Sequence, residues 1–134
     1  MDVMRILHVD DDVLSVRLMR RELSGLQGVE LVGVTSTADA MELLQREDWD
    51  VVVTDFAMPH MDGVELLEHA VRLQPGARRL LLTATPDAIR VEAARRAELA
   101  DEVLAKPVPF GALCKSLGID PRLRSPTPRG TPSL

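Results

Sequence analysis

The chain has 134 residues, of which 46% are hydrophobic, and this predicts a single domain with a substantial core. Its net charge of −5 disfavours binding to a phosphate backbone, and its two phenylalanines and one tryptophan offer no base-stacking surface. One cysteine excludes an internal disulfide, the N-terminus lacks a signal-peptide pattern, and no apolar run is long enough to cross a membrane. We expect a cytoplasmic protein with no direct nucleic-acid partner and no membrane partner.

Five short apolar runs alternate with five amphipathic patterns. The runs predict strands over residues 5–9, 29–36, 50–55, 78–84 and 101–105. The patterns between them predict helices over residues 13–26, 37–47, 62–74, 85–99 and 109–118. The third strand contains the run VVV, which predicts burial on both faces of a sheet. His8 lies inside the first strand, and we expect it to be a packed core residue.

Residues with capping preferences mark three of the helix starts. Asp12 precedes the first helix, where an acid suits the helix dipole, and Ser36 or Thr37 caps the second. Thr85 is expected to cap the fourth helix, with Pro86 in its first turn.

The alternation of strands and helices with short connections predicts an α/β fold. A doubly wound parallel sheet, with right-handed crossovers and helices on both faces, satisfies this pattern. After residue 118 the sequence has four prolines, scattered arginines and no apolar period. We therefore expect one domain over residues 1–118 and a flexible Pro/Arg-rich tail or linker over residues 119–134.

Chemically active side chains follow four of the predicted strands. Asp10 and Asp11 follow the first strand, Asp55 ends the third, Thr83 lies in the fourth and Lys106 follows the fifth. Ligands of doubly wound sheets bind at the carboxyl ends of the strands, so these groups are expected to meet. Clustered carboxylates favour a hard cation such as Mg²⁺ (or Mn²⁺), and an aspartate beside it can attack a phosphoryl group. The sequence therefore predicts phosphoryl chemistry on a carboxylate.

The motifs VDDD, DFAMPHMDG, LLLTA and AKP together resemble the receiver domain of two-component response regulators, over residues 3 to about 118. The resemblance implies a CheY-like, flavodoxin-like (βα)5 fold whose five-stranded parallel sheet has the order 2-1-3-4-5. It implies a Mg²⁺-dependent switch that accepts a phosphoryl group from a histidine kinase or phosphotransfer protein and then acts on a downstream protein target or output domain. Such a domain catalyses only its own phosphorylation and dephosphorylation and is not an enzyme toward a separate substrate.

The resemblance also implies a role for each residue that matches a family motif. Asp55 corresponds to the phosphoacceptor, and Asp10 and Asp11 correspond to the acidic pair that binds the metal. Thr83 corresponds to the switch hydroxyl and Lys106 to the lysine that binds the phosphoryl group.

Five further positions correspond to residues that complete or tune the site. The backbone carbonyl of Ala57 corresponds to a third protein oxygen at the metal, and Pro107 to a proline after a cis peptide bond. Ala57 and Thr85 occupy positions that set the phosphoryl lifetime, and the absence of an amide or carboxylate on Ala57 predicts a long one. Ala84 is small and leaves the site open to a donor. Val103 replaces an aromatic residue that turns inward on phosphorylation.

Two alternatives stay open at this point. Val103, together with Leu99 in place of a common glycine, is compatible with a phosphorylation-independent interaction module, or pseudo-receiver. The proline-rich tail is compatible with a receiver fragment of a larger regulator or hybrid kinase. The resemblance further implies a homodimer through the face formed by the fourth helix, fifth strand and fifth helix.

Overall fold

A computed structural model describes residues 3–122 of the chain, and the predicted tail after residue 122 lies outside the described residues. The strands are β1 (Met4–Val9), β2 (Val29–Val34), β3 (Val51–Asp55), β4 (Arg78–Thr83) and β5 (Glu102–Ala105). The helices are α1 (Val13–Leu23), α2 (Thr37–Arg46), α3 (Gly63–Leu73), α4 (Ile89–Arg96) and α5 (Phe110–Leu117). None of these helices is long and apolar enough to cross a membrane.

All five strands are parallel and lie in the order β2-β1-β3-β4-β5, which confirms the predicted doubly wound α/β fold. The chain passes from β1 to one side to form β2 and returns to the other side to form β3. The strand order therefore reverses between β1 and β3, where this class of sheet opens a crevice for ligands. The register pairs Val9 with Thr54 and Thr83 with Ala105, so the carboxyl ends of the strands form one edge.

Two apolar cores cover the two faces of the sheet. One core contains residues of α1 and α5, and the other contains residues of α2, α3 and α4. In β1, Ile6 belongs to the first core and Leu7 to the second, because successive side chains of a strand point to opposite faces. Every residue of β3 is buried, which confirms the prediction made from its apolar run.

Side-chain caps begin the first three helices. The carboxylate of Asp12 accepts a hydrogen bond from the Leu14 N–H, and the Ser36 hydroxyl accepts one from the Asp39 N–H. Asp62 caps α3 in the same way through the Glu65 N–H. Each cap satisfies one of the backbone donors that a helix leaves unpaired at its first turn. The prediction for Asp12 is confirmed, and of the two alternatives for α2, Ser36 and Thr37, the cap is Ser36.

The predicted start of the fourth helix was wrong. The helix begins at Ile89, its N-cap is Ala88, and Thr85 does not cap it. Residues 85–88 instead form a turn in which the Ala88 N–H donates to the Thr85 carbonyl at 3.0 Å. Pro86 takes the second position of this turn, which its fixed φ favours as strongly as it favours a first helical turn. Pro86 therefore does indicate a change of chain direction, but the structure that it begins is a turn and not the first turn of a helix.

The predicted end of the same helix, at residue 99, was also too late. The Leu99 N–H donates to the Ala94 carbonyl at 2.9 Å, and the Glu98 N–H donates to the Arg95 carbonyl at 3.1 Å. This is the Schellman pattern, in which one residue takes a left-handed conformation that glycine adopts most easily. Here that residue is Glu98, with a φ of 59°. The motif ends α4 and returns the chain toward the core.

Replacing Glu98 by glycine should raise the free energy of unfolding by about 1 kcal/mol. The left-handed conformation costs an L-residue roughly 1–2 kcal/mol, and the extra freedom of glycine in the unfolded chain offsets part of this gain. Urea unfolding of Glu98→Gly against the wild-type protein measures the difference. The matched control is Ala93→Gly inside α4, which should lower stability by about 1 kcal/mol. Equal losses in both variants would contradict the prediction.

Candidate functional site

Three carboxylates meet where β1 and β3 end. Asp10 directly follows β1 and is 1% exposed, and Asp55 is the last residue of β3 and is 7% exposed. Asp11 lies beside them and is exposed to solvent. One oxygen of each carboxylate lies within 4.8 Å of the others, so the three form a cluster at the point where the strand order reverses. The structure thus brings together the acidic residues that the sequence predicted.

Lys106 extends into this acidic cluster from the end of β5. Its Nζ atom lies 2.5 Å from Oδ1 of Asp55 and 3.4 Å from Oδ2 of Asp10. Its backbone N–H donates to the Thr83 carbonyl at 2.8 Å, which holds the base of the side chain against β4. The peptide bond between Lys106 and Pro107 is cis, as the resemblance implied. A single ammonium group therefore contacts carboxylates from two strands.

The surroundings change the pKa values of both Asp55 and Lys106. Burial raises the pKa of Asp55, and the charges of Asp10 and Asp11 raise it further, while the hydrogen bond from Lys106 opposes this change without cancelling it. Burial alone would lower the pKa of Lys106, but its hydrogen bond with Asp55 and the charge of Asp10 raise it overall. The cluster thus keeps its lysine charged and has an excess of carboxylates over cations.

The Thr83 side chain is tied to the turn that precedes α4. Its hydroxyl oxygen accepts a hydrogen bond from the Thr85 backbone N–H at 2.9 Å and lies 3.1 Å from the Thr85 hydroxyl. Thr83 is buried at the end of β4, the strand next to β3, whereas Ala84 and Thr85 are exposed. Since Thr85 does not cap α4, its hydroxyl belongs to this pair and not to the helix.

The loop that follows Asp55 is closed by tight backbone contacts. The Gly63 N–H donates to the Phe56 carbonyl at 2.8 Å, and a Cβ atom added to Gly63 would lie 2.2 Å from the Asp55 carbonyl oxygen. Only glycine allows the start of α3 to approach the acidic cluster this closely. Ala57 lies exposed in this loop, two residues after Asp55, so its carbonyl as a metal ligand stays a prediction.

An ion pair joins the start of α3 to the start of α4. Nε of Arg90 lies 2.8 Å from Oδ2 of Asp62, and its Nη2 lies 3.0 Å from Oδ1. Burial opposes the charge of Asp62, but the hydrogen bonds from Arg90 and from the Glu65 N–H lower its pKa overall. Sequence reasoning missed this pair because its members belong to different β/α units. Asp62 lies in the motif DFAMPHMDG, but the motif does not indicate which cation its carboxylate meets.

Two predicted positions lie beside the acidic cluster and not in it. Val103 is half-buried in β5 and packs against the core that contains Val91 of α4. Its proposed place in an output switch therefore stays a prediction. Pro107 is exposed directly after Lys106.

His8 is buried in β1, as predicted, on the face that carries α1 and α5. Neither of its ring nitrogens has a hydrogen-bond partner within residues 3–122. Burial lowers the pKa of His8 to about 4, and the charge of Lys106 acts in the same direction, while the charge of Asp10 opposes it. The ring is therefore uncharged at neutral pH.

The chain matches the response regulator receiver domain family over residues 6–118, and it belongs to this family. It is 33% identical over 115 residues to the transcriptional regulatory protein GlrR of Escherichia coli (strain K12). The aligned region covers 84% of this chain and 25% of GlrR. It is 35% identical over 107 residues to the probable chemotaxis protein CheY of Rhizobium etli, which covers 77% of this chain and 81% of that protein. The chain thus spans about a quarter of the length of GlrR but most of the length of the CheY protein.

A solved structure shows the same architecture. The CheY-like response regulator receiver domain protein from Methanospirillum hungatei JF-1 has a TM-score of 0.80 and 26% sequence identity, covering 87% of this chain and 92% of that chain. The resemblance to receiver domains of two-component systems and the sheet order 2-1-3-4-5 are therefore both confirmed.

The buried His8 should make the protein less stable at acid pH. Its folded pKa of about 4 lies below the unfolded value of 6.5, so the unfolded chain takes up the proton first as the pH falls. Stability that is present above pH 6.5 is then lost toward pH 4. Between pH 7 and pH 5 the wild-type protein should lose about 2 kcal/mol relative to His8→Leu. Urea unfolding at both pH values, without divalent cations, measures this, and parallel pH profiles would count against it.

Proposed function

We propose that the chain is a phosphorylation-dependent signalling switch. In this proposal, Asp55 accepts a phosphoryl group from the phosphohistidine of a histidine kinase or phosphotransfer protein, in a Mg²⁺-dependent reaction. The observation that carries the proposal is the contact of the Lys106 ammonium group with Asp55 inside a cluster of three carboxylates. A buried ion pair alone would need one acid, and the two additional acids suit a site that takes up a cation and then an anion.

The acidic cluster suits a hard divalent cation. Mg²⁺ prefers oxygen ligands, uses one or two carboxylates and leaves other positions for water and phosphoryl oxygens. Asp10, Asp11 and Asp55 would hold the ion through the three oxygens that lie within 4.8 Å of one another, and the Ala57 carbonyl would complete the protein ligands. When bound, Mg²⁺ (or Mn²⁺) supplies positive charge that neutralises the carboxylates and draws a phosphoryl oxygen toward Asp55.

The chain's own side chains account for the transfer step. A carboxylate oxygen of Asp55 attacks phosphorus, the bond from phosphorus to the donor's imidazole nitrogen breaks, and its electron pair stays on that nitrogen. The product is an acyl phosphate on Asp55. Lys106, already in contact with this carboxylate, counters the added negative charge on the phosphoryl oxygens. The Thr83 hydroxyl donates a hydrogen bond to one of those oxygens.

The switch follows from the contacts that Thr83 gives up. When its hydroxyl turns to the phosphoryl group, it leaves the Thr85 N–H and hydroxyl, and the turn before α4 is freed to move. This changes the surface formed by α4, β5 and α5, through which the domain binds a downstream target or a second copy. The homodimer through the α4-β5-α5 face, the cytoplasmic location and the linker role of residues 119–134 stay predictions.

Exposed apolar side chains support a protein as the phosphodonor. Val13 and Leu14 begin α1 directly after the acidic residues, and Leu18 lies one turn further along. All three are about half exposed or more, as is Ile89 at the start of α4. An apolar patch beside a reactive group is typical of a surface that another protein covers.

The phosphorylation-independent interaction module is the second candidate. It is favoured by Val103, because a small side chain on β5 cannot report the state of Asp55 by the swing of an aromatic ring. The same experiment separates the two candidates.

Acetyl phosphate with Mg²⁺ should add one phosphoryl group to the wild-type protein, as read by intact mass. No gain is expected for Asp55→Asn or with excess chelator, and Asp11→Asn should need much more Mg²⁺ because it removes one ligand. Asp11 is exposed, so its substitution leaves the core intact. Asp39→Asn, an exposed acid in α2, is the matched control and should behave as wild type. An unmodified wild-type protein would instead favour the phosphorylation-independent module.

The phosphoryl group should be long-lived because Ala57 offers no polar group to orient a water molecule. In Ala57→Asn the added amide should shorten the lifetime by about tenfold or more, since a positioned polar group commonly contributes that much. Loss of the added mass after acetyl phosphate is removed, followed over time at neutral pH with Mg²⁺, gives both lifetimes. Loss within seconds from the wild-type protein would refute the expectation.

A further inference from the structure

The first turn of α4 depends on its tertiary contacts for its position. Its N-cap is Ala88, which has no polar side chain, whereas polar side chains cap α1, α2 and α3. Ile89, the first residue of the helix, is 88% exposed, and Val91 is the buried residue of the turn. The two hydrogen bonds from Arg90 to Asp62 tie this turn to the start of α3. A helix end without a cap is stabilised by such outside contacts.

Asp62 is the fixed member of this ion pair. Its carboxylate accepts a hydrogen bond from the Glu65 N–H at 2.9 Å, which holds it at the start of α3. The next residue, Gly63, donates its N–H to the Phe56 carbonyl at 2.8 Å, and the Asp55 backbone leaves no room beside it for a Cβ atom. The start of α3 is therefore held against the strand end that carries Asp55.

The other end of α4 is anchored to β4. Nε of Arg79 donates to the Leu99 carbonyl at 2.8 Å, and its Nη2 donates to the Glu98 carbonyl at 3.1 Å. Arg79 lies in β4, inside the sheet, so this anchor does not depend on the loops around the acidic cluster. A movement of α4 is therefore expected mainly at its start, where Arg90 lies.

Such a movement would break the ion pair. In the proposed switch, the Thr83 hydroxyl leaves Thr85, and the turn over residues 85–88 is free to carry the start of α4 with it. The guanidinium group of Arg90 lies 2.8 Å and 3.0 Å from the two carboxylate oxygens of Asp62. Since hydrogen bonds of this kind weaken steeply with distance, a shift of about 1 Å would lose at least one of them.

We propose that the Asp62–Arg90 ion pair holds α4 in its unphosphorylated position and opposes the switch at Asp55. Arg90 is then a positioning residue, which acts through Asp62 and determines how readily the helix moves. This proposal rests on the proposed function, because the movement that the pair opposes is the one that follows phosphorylation. A ligand that requires the moved helix must break the pair, so its apparent affinity is reduced by the same factor.

The test measures the affinity of the full chain for beryllofluoride at saturating Mg²⁺. Beryllofluoride is an anion that takes the place of a phosphoryl group on a carboxylate without a transfer step, so it reports the switch at equilibrium. Backbone ¹H–¹⁵N spectra follow the amides of residues 85–97 during the titration. These amides should shift in the wild-type protein, and Arg90→Gln should bind beryllofluoride about two- to fivefold more tightly, the factor typical of one exposed ion pair.

The direction of this change separates the proposal from a general effect of charge. Removing a positive charge near the site would by itself weaken the binding of an anion. Arg95→Gln is the matched control, because Arg95 is about as exposed as Arg90 but pairs at 2.8 Å with Glu92 of the same helix. It removes the same charge without releasing α4 from α3, so it should bind beryllofluoride no more tightly than the wild-type protein does.

Two further variants identify the partner of Arg90. Asp62→Asn keeps a good capping residue at the start of α3 and removes the charge that Arg90 meets. Arg90→Gln should therefore tighten binding in the wild-type background but not in the Asp62→Asn background. Arg90→Lys keeps the charge and loses the two-point contact, so its affinity should lie between those of the wild-type protein and Arg90→Gln.

The possible failures are distinguishable. A wild-type protein that binds no beryllofluoride would refute the proposed function, and this proposal with it. If the wild-type protein binds, three results would overturn this proposal alone: no shift of the α4 amides, no tightening in Arg90→Gln beyond that in Arg95→Gln, or the same tightening in the Asp62→Asn background. Urea unfolding of each variant verifies that it is folded, and Arg90→Lys decides the outcome should Arg90→Gln fail to fold.

Discussion

Repulsion among carboxylates at the edge between β1 and β3 is the constraint on which the site depends. Two like charges about 4 Å apart repel by about 4 kcal/mol at an effective dielectric near 20, and here three acids share such a space. Lys106 offsets part of this repulsion, yet the pKa of Asp55 stays raised. The buried strands hold the acids in place against this force. The remaining imbalance is the reason that we propose a cation at this site.

Two polar contacts connect this strained edge with the start of α4. Thr83 is bonded to Thr85 in the preceding turn, and Asp62 is bonded to Arg90 in the first turn of the helix. The turn over residues 85–88 is held at its start by the contacts of Thr83 with Thr85, and the helix that follows it is held by Arg90. In the proposed switch, these contacts would carry a change at the acidic cluster to α4 without an aromatic side chain at the position of Val103.

The sequence predicted the parts of the structure that depend on local pattern. Apolar runs located all five strands, and the caps of the first two helices were predicted, to within one residue for α2, because capping preferences act within one turn. The start of α4 was misplaced because Pro86 suits a turn and a helix start equally well. The Asp62–Arg90 pair and the unpaired nitrogens of His8 could not be predicted. They depend on which side chains meet after the sheet has formed, and the spacing of residues does not reveal this.

Lys106 and Asp10 are 96 positions apart in the chain, yet they touch. Closing so large a loop carries an entropic cost, and contacts of this separation form late in folding and slow it. The first and last strands must both be in place before the lysine can reach the acids. The cluster is therefore a property of the finished sheet only, and an incompletely folded chain has scattered aspartates with no special affinity for a cation. A chain in which Lys106 contacts Asp10 has therefore completed its sheet.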